Sequence, residues 1–251
     1  MRVLISNDDG ILSPGLIALK EELQEEHEIW VTAPDRERSG TSHSITLRGP
    51  VRFRQVAERM FACNGTPADT VLYALLGAIP VKPDLIVSGI NRGPNLGTDI
   101  IYSGTAAAAR QGALVGIPSI AVSVAPVEPP FPYREAAGFL RRNLEILLGL
   151  WSSDHFININ FPVSAGGSHK VAITHPSRRI YSDRADEYVH PNGDRYYFLT
   201  GEGIHAREEK GSDWNAIRDG NISISPVYLH PMNQDETHMY EDAHFRMDEH
   251  E

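Results

Sequence analysis

The sequence predicts an α/β fold: a Rossmann-like, doubly wound and mostly parallel sheet with a smaller, strand-rich C-terminal extension. Two observations predict it. Short β-branched runs alternate with helix-period segments as far as residue 163, and three of the runs end in loops rich in Asp, Asn and Ser. The runs are Val3-Leu4-Ile5, Ile29-Trp30-Val31 and Leu85-Ile86-Val87; the loops are Asn7 to Gly10, Pro34 to Gly40 and Ser88 to Asn95. Parallel strands of an open sheet finish on one edge, and ligands bind just beyond it. The three loops are therefore expected to converge, bringing together two adjacent carboxylates, a hydroxyl and two carboxamides.

The elements follow in order. After the first strand, Ser13-Pro14-Gly15 opens an amphipathic helix through Leu16, Leu19 and Leu23. A strand spans Ile29 to Ala33. Residues 44 to 64 break the rhythm: Ser44 to Leu47 and Val51 to Arg54 alternate around Arg48-Gly49-Pro50, which predicts an antiparallel hairpin. Thr66 caps a helix with Pro67 in its first turn and Asp69 three residues on. Asp84 to Ser88 is a strand, Thr105 to Leu114 an alanine-rich helix, Pro118 to Val124 a strand, Tyr133 to Leu150 a helix and Phe156 to Phe161 a strand. Beyond residue 163 the alternation is lost. His190 to Asp194 is a hairpin turn signal between Glu187-Tyr188-Val189 and Arg195 to Leu199. A helix at Trp214 to Arg218, a strand at Asn221 to Ser225 and an acidic tail complete the chain. The division is a core over 1–163 and an extension over 164–251.

Composition narrows the function. The 251 residues are 41% hydrophobic, enough for a full core, and no apolar run reaches membrane-spanning length. The formal net charge of −10, with no basic stripe, disfavours a nucleic-acid polymer as partner. The single cysteine, Cys63, precludes an intramolecular disulfide and suits a reducing compartment; with no secretory signature, a cytoplasmic protein is expected. Cys63 reads as a small packed hydrophobe.

Asp8 and Asp9 are the first candidates for chemistry. Adjacent carboxylates at a strand end repel unless a cation or shared proton compensates. A turn alone accounts for Asp-Gly but not for the second aspartate. Ser39 is an ordinary turn residue by itself and gains interest from sharing an edge with Asp8; Arg36 and Arg38 beside it either steer a phosphate or are simply solvated. Asn91 and Asn95 lie in a glycine-rich stretch that lets backbone approach a ligand. Ser103-Gly104-Thr105 then leads into a helix whose free N–H groups and dipole end suit a phosphate. No P-loop, dinucleotide fingerprint or nucleophile elbow is present. His238, His244 and His250, six apart in the tail, do not stack on one helical face and make a poor zinc set.

Taken together, Asn7-Asp8-Asp9-Gly10, Ala33 to Ser39, His43-Ser44-Ile45-Thr46, Gly65 to Asp69, Ser88 to Asn95 and Tyr102-Ser103-Gly104-Thr105 resemble the SurE family of stationary-phase survival proteins. The match is dense to about residue 125 and continues more thinly in Asn158 to Pro162, Ser177-Arg178-Arg179 and Ser223 to Pro226. The resemblance implies a metal-dependent nucleoside-monophosphate phosphatase in which Asp8, Asp9, Ser39 and Asn91 ligate one divalent cation per subunit, while Asn95, Ser103, Gly104 and Thr105 contact the phosphate. It also implies a homodimer that exchanges C-terminal elements, or a tetramer built by a hairpin, here residues 186–199. Ser42 stands where glycine is usual, Ala106 where valine is common, and Arg110-Gln111-Gly112 departs from an acidic-Gly ending.

The leading expectation is hydrolysis of a nucleoside 5′- or 3′-monophosphate, with Asp8 or Asp9 orienting or deprotonating water. An oxygen-only ligand set suits Mg²⁺, Mn²⁺ or Ca²⁺ better than zinc. A non-catalytic nucleotide or anion sensor is the alternative, and a metal-dependent glycosyltransferase a weaker third. Tyr102 and Tyr181 either stack a purine or simply pack.

Overall fold

The apolar runs form the middle of a nine-stranded sheet. In the computed structural model, residues 1–126, 128–163, 169–201 and 205–230 are described. The elements are β1 (Arg2–Ser6), α1 (Pro14–Leu23), β2 (Glu28–Pro34), β3 (Phe53–Ala57), β4 (Met60–Cys63), α2 (Pro67–Tyr73), β5 (Leu85–Arg92), α3 (Gly104–Ala113), β6 (Ser119–Val124), α4 (Tyr133–Leu150) and β7 (His155–Phe161). There follow β8 (Val171–Ile173), β9 (Arg179–Ile180), β10 (Asp183–Val189), β11 (Arg195–Gly201), β12 (His205–Ala206), α5 (Asp213–Arg218) and β13 (Ile222–Tyr228). A 3₁₀ turn, Gly97–Ile101, bridges β5 and α3.

The strand order is β3-β4-β2-β1-β5-β6-β7-β13-β8. From β2 to β7 the neighbours are parallel, and β13 returns antiparallel on β7. Because β2 lies on one side of β1 and β5 on the other, the winding reverses at β1, and the crevice beyond β1 and β5 is where such sheets bind ligands. Side chains alternate as the pleat demands. Val3, Ile5 and Val87 join the core under α1 and α4, with Leu16, Leu19, Leu140 and Leu144. Leu4 and Ile86 face the other way, packing with Val71 of α2 and Ala108 of α3. This is a doubly wound α/β sheet, as the alternation predicted.

The predicted hairpin over 44–54 does not form. Thr46 gives its N–H (2.8 Å) and hydroxyl (2.6 Å) to the Asp69 carboxylate, so its backbone donor goes to α2 instead of a ladder. Leu47 is 84% exposed, so the alternation there has no apolar face to bury. The true hairpin lies one step later, between β3 and β4, turning at Glu58-Arg59 with Arg59 at φ 55°. β4 escaped notice because Met60-Phe61-Ala62-Cys63 carries no β-branched residue. β5 also runs to Arg92, four residues past the predicted end, after a register shift between Ser88 and Asn91.

After residue 163 the chain rejoins the main sheet through β8 and β13. β10 and β11 form the hairpin that the Asn-Gly signal predicted, with Tyr188 opposite Tyr196 and Val189 opposite Arg195. Cys63 is fully buried, and that burial pushes its thiol up to about 11, as a packed hydrophobe requires. The acidic tail, with His238, His244 and His250, lies outside the described residues. Among the described residues no helix is long and apolar enough to cross a membrane.

The far ends of β1 and β5 are clamped by an ion pair. Arg2 gives its N–H (2.8 Å) and its guanidinium (2.7 Å) to Asp84. Hydrogen bonding from Arg2 is the main cause that lowers the Asp84 carboxyl to about 2, from an ordinary 3.8. Depression stabilises the folded state above the ordinary value, and that contribution is lost as pH falls from about 4 through 2. A carboxyl NMR titration is expected to place the Asp84 midpoint near 2, and Arg2→Ala to move it upward. A wild-type midpoint at 3.8 would contradict the clamp.

Candidate active site at the rim of strands β1 and β5

Asp8 lies two residues beyond the end of β1 and is only 4% exposed. Its carboxylate accepts the Thr105 hydroxyl at the start of α3. Burial raises the Asp8 carboxyl to about 6; the Thr105 bond opposes the rise and the neighbouring Asp9 charge adds to it. Asp9 is half-buried, and its carboxylate accepts the Arg92 N–H at 3.2 Å. Its pKa is also raised, first by burial, with Glu37 contributing. Among the described residues, no Lys, Arg or His side chain forms an ion pair with either carboxylate.

Backbone bonds tie the other two loops to this pair. The Arg38 N–H donates to the Asp8 carbonyl at 2.8 Å, which holds the second loop against the first. The Arg92 N–H does the same for the third. Asn91, nearly buried, gives its amide N–H to the Gly93 carbonyl at 2.8 Å, leaving the amide oxygen as its acceptor end. Ser39 is the outlier: it is exposed, and its hydroxyl donates to Glu37 at 2.9 Å instead of meeting the aspartates.

The α3 N-terminus lies against Asp8. A Cβ added at Gly104 would stand 2.8 Å from the Asp8 Cβ, so this position admits only glycine while Asp8 keeps its place. The Ser103 hydroxyl caps the helix by accepting the Ala106 N–H at 3.0 Å, which leaves its own O–H proton as a donor. The Thr105 hydroxyl is engaged by the Asp8 carboxylate.

Asn95, expected at the phosphate, also has a structural role. It is buried, its N–H donates to Asn160 Oδ1 (2.8 Å) and its amide to the Ser123 hydroxyl (2.8 Å), while its carbonyl accepts from Asn158 and Asn160. It pins the third loop to β6 and β7. In the sequence Asn158 and Asn160 stood out as two polar residues at period two in an otherwise apolar strand and as a thin part of the family resemblance, with no role attached.

The oxygen donors suit a hard cation. Among the described residues neither carboxylate makes an ion pair, although Arg92 acts on Asp9 at longer range, and an amide oxygen and a hydroxyl sit on the tethered loops. Among the described residues no three His, Cys, Asp or Glu side chains gather closely enough to hold a metal by themselves, so amide and hydroxyl oxygens must complete any set. Beside Asp9 opens a cavity of about 330 Å³, lined in part by Leu12, Arg36, Glu37, Arg92 and Tyr133. Tyr102 and Tyr181 do not line it; Tyr181 donates its hydroxyl to Asp99 at 2.6 Å.

Two further groups shape the rim. Asp69, fully buried, holds Thr46 and also accepts the Thr66 N–H at 2.9 Å, closing the capping box of α2. Ser42 adopts φ 53°, the left-handed region that glycine enters without strain, which accounts for the glycine usual there. Here its hydroxyl donates to the Ile101 carbonyl at 2.7 Å and its N–H to the Tyr102 carbonyl at 3.0 Å.

A doubly wound sheet with an acidic cluster at its switch point is the architecture of an α/β enzyme. The chain belongs to the SurE family: residues 3–183 match the family model described as "Survival protein SurE". It is 42% identical over 239 residues to the 5'-nucleotidase SurE of Desulforudis audaxviator, covering 91% of this chain and 92% of that protein. The 5'-nucleotidase SurE of Geotalea uraniireducens is 40% identical over 235 residues, covering 91% and 93%. The crystal structure of the Aquifex aeolicus SurE protein superposes with a TM-score of 0.84 at 35% identity, covering 96% of this chain and 98% of that one.

Proposed function

We propose that this protein is a divalent-metal-dependent phosphomonoesterase that hydrolyses nucleoside 5′-monophosphates, and 3′-monophosphates as a second class, to nucleoside and phosphate. The observation that carries the reading is Asp8: a buried carboxylate, held against a helix N-terminus, with no cationic side chain to balance it. A phosphate dianion seated at that N-terminus would be repelled by Asp8 and Asp9 unless a cation lay between them. The names of the relatives support the same activity.

Asp8, Asp9, Asn91 and, after release from Glu37, Ser39 would hold the ion, for which Mg²⁺, Mn²⁺ and Ca²⁺ all fit an oxygen-only set. Such an ion supplies charge neutralisation and a lowered pKa for bound water. The Gly104 N–H and the Ser103 hydroxyl donate to the equatorial phosphoryl oxygens, where fixed dipoles stabilise developing charge. Thr105 acts by orienting Asp8. One carboxylate of the pair, Asp8 or Asp9, takes a proton from the attacking water. A sensor would gain nothing from two carboxylates placed where they repel its ligand. The single buried Cys63 is consistent with a cytoplasmic setting.

The same reading includes self-association. Tyr188, Val189, Tyr196, Tyr197, Phe198 and Leu199 are all exposed on one hairpin, an apolar surface that a second copy of the chain would cover. By light scattering, the wild type is expected to be a dimer or tetramer and the Phe198→Asp, Leu199→Asp pair to be a smaller species. Unchanged mass in that variant removes the hairpin from the interface.

Phosphate release from AMP is expected with added Mg²⁺, Mn²⁺ or Ca²⁺, to vanish in EDTA, and to fall about a hundredfold or more in Asp8→Asn. Undiminished turnover in the chelator would refute the role of the cation.

A further inference from the structure

The cavity beside Asp9 has no role in the chemistry described so far, and its position and lining give it one. We propose that it is the leaving-group subsite, that it takes the nucleoside of a nucleoside monophosphate, and that the Tyr133 ring is the surface on which the base stacks. The inference rests on the phosphomonoesterase reading and deepens it by naming residues that select the substrate.

Position comes first. The two carboxylates are neighbours held by different partners. Asp8 is turned to α3 by Thr105, whereas Asp9 is held by the Arg92 N–H and lines the cavity. For a phosphoryl group seated on the α3 N-terminus beside Asp8, an ester substituent that extends to the Asp9 side of the pair enters this cavity.

Size and chemistry decide what the substituent is. At about 330 Å³ the cavity lies within the range of small-molecule sites and would stand mostly empty around a methyl ester. Tyr133 opens α4, and its ring stacks on Phe131 with centroids 5.3 Å apart and planes 25° from parallel. One face of the ring is thus braced by a neighbour, which holds it as a fixed platform. Leu12, in the same lining, is 79% exposed, an apolar side chain with nothing over it. Arg36 forms no ion pair among the described residues, and Arg92 lies only 3.7 Å from Glu37. Both guanidiniums are donors for ribose hydroxyls and base edges. An aromatic platform, an exposed aliphatic side chain and two forked donors suit a nucleoside far better than a sugar alone or an aliphatic alcohol.

The test compares AMP with methyl phosphate, which has no base. In the wild type, AMP is expected to be the better substrate through a lower KM. Tyr133→Ala should reduce the AMP-to-methyl-phosphate ratio of kcat/KM about tenfold, the scale of one lost base-stacking contact, through KM for AMP. Tyr133→Phe should keep the ratio. Leu12→Gln, at an exposed site that carries no folding risk, should lower it in the same direction, and adenosine should inhibit AMP hydrolysis competitively. An unchanged ratio in both Tyr133→Ala and Leu12→Gln overturns the subsite, as does an equal loss on both substrates. If Tyr133→Ala does not fold, Leu12→Gln and adenosine inhibition decide. Failure of the wild type to cleave either ester would instead sink the phosphomonoesterase reading itself.

Discussion

The Asp8 carboxylate is removed from water at a point where, among the described residues, no cationic side chain pairs with it, and the arrangement of the rim follows from that. Its upward shift from 3.8 to about 6 corresponds to about 3 kcal/mol of bias against the charged form. A unit charge at 4 Å in an effective dielectric of about 20 supplies roughly 4 kcal/mol, and a doubly charged ion about twice that. The cation term is therefore at least as large as the net bias that burial, Asp9 and the hydrogen bonds leave together. Thr105 alone falls short, since its hydrogen bond only offsets part of the rise.

Keeping such a group in place requires a rigid surround. Arg38 and Arg92 bring the second and third loops to the aspartates through backbone N–H groups, the first to the Asp8 carbonyl and the second to the Asp9 carboxylate. Asp69 fastens Thr46 and caps α2 with one carboxylate, so the segment that crosses the rim is anchored to a helix end. On the opposite flank Asn95, Asn158, Asn160 and Ser123 form a buried amide and hydroxyl network beneath the third loop. Functional side chains thus rest on bonds made by residues that need never touch a ligand.

The sheet was legible in the sequence because its central strands are buried on both faces and read as continuous apolar runs. The polar loops were legible because strand ends in a parallel sheet share an edge. Residues 44–54 misled because Thr46 bonds to a carboxylate 23 residues away, which no local alternation reveals. Asn95, expected at the phosphate, is buried and also braces the third loop, a role that a glycine-rich asparagine loop does not announce in sequence. Thr105 similarly turns toward Asp8. Tyr133 passed as a helix start, and only the cavity beside Asp9 gives it a further meaning.

Anomalous diffraction from crystals soaked in Mn²⁺ tests the account at its centre. It should show a single strong peak at the β1 and β5 rim, within about 2.0–2.6 Å of oxygens from Asp8, Asp9 and Asn91. A manganese peak elsewhere, with none between those side chains at saturating metal, would contradict it.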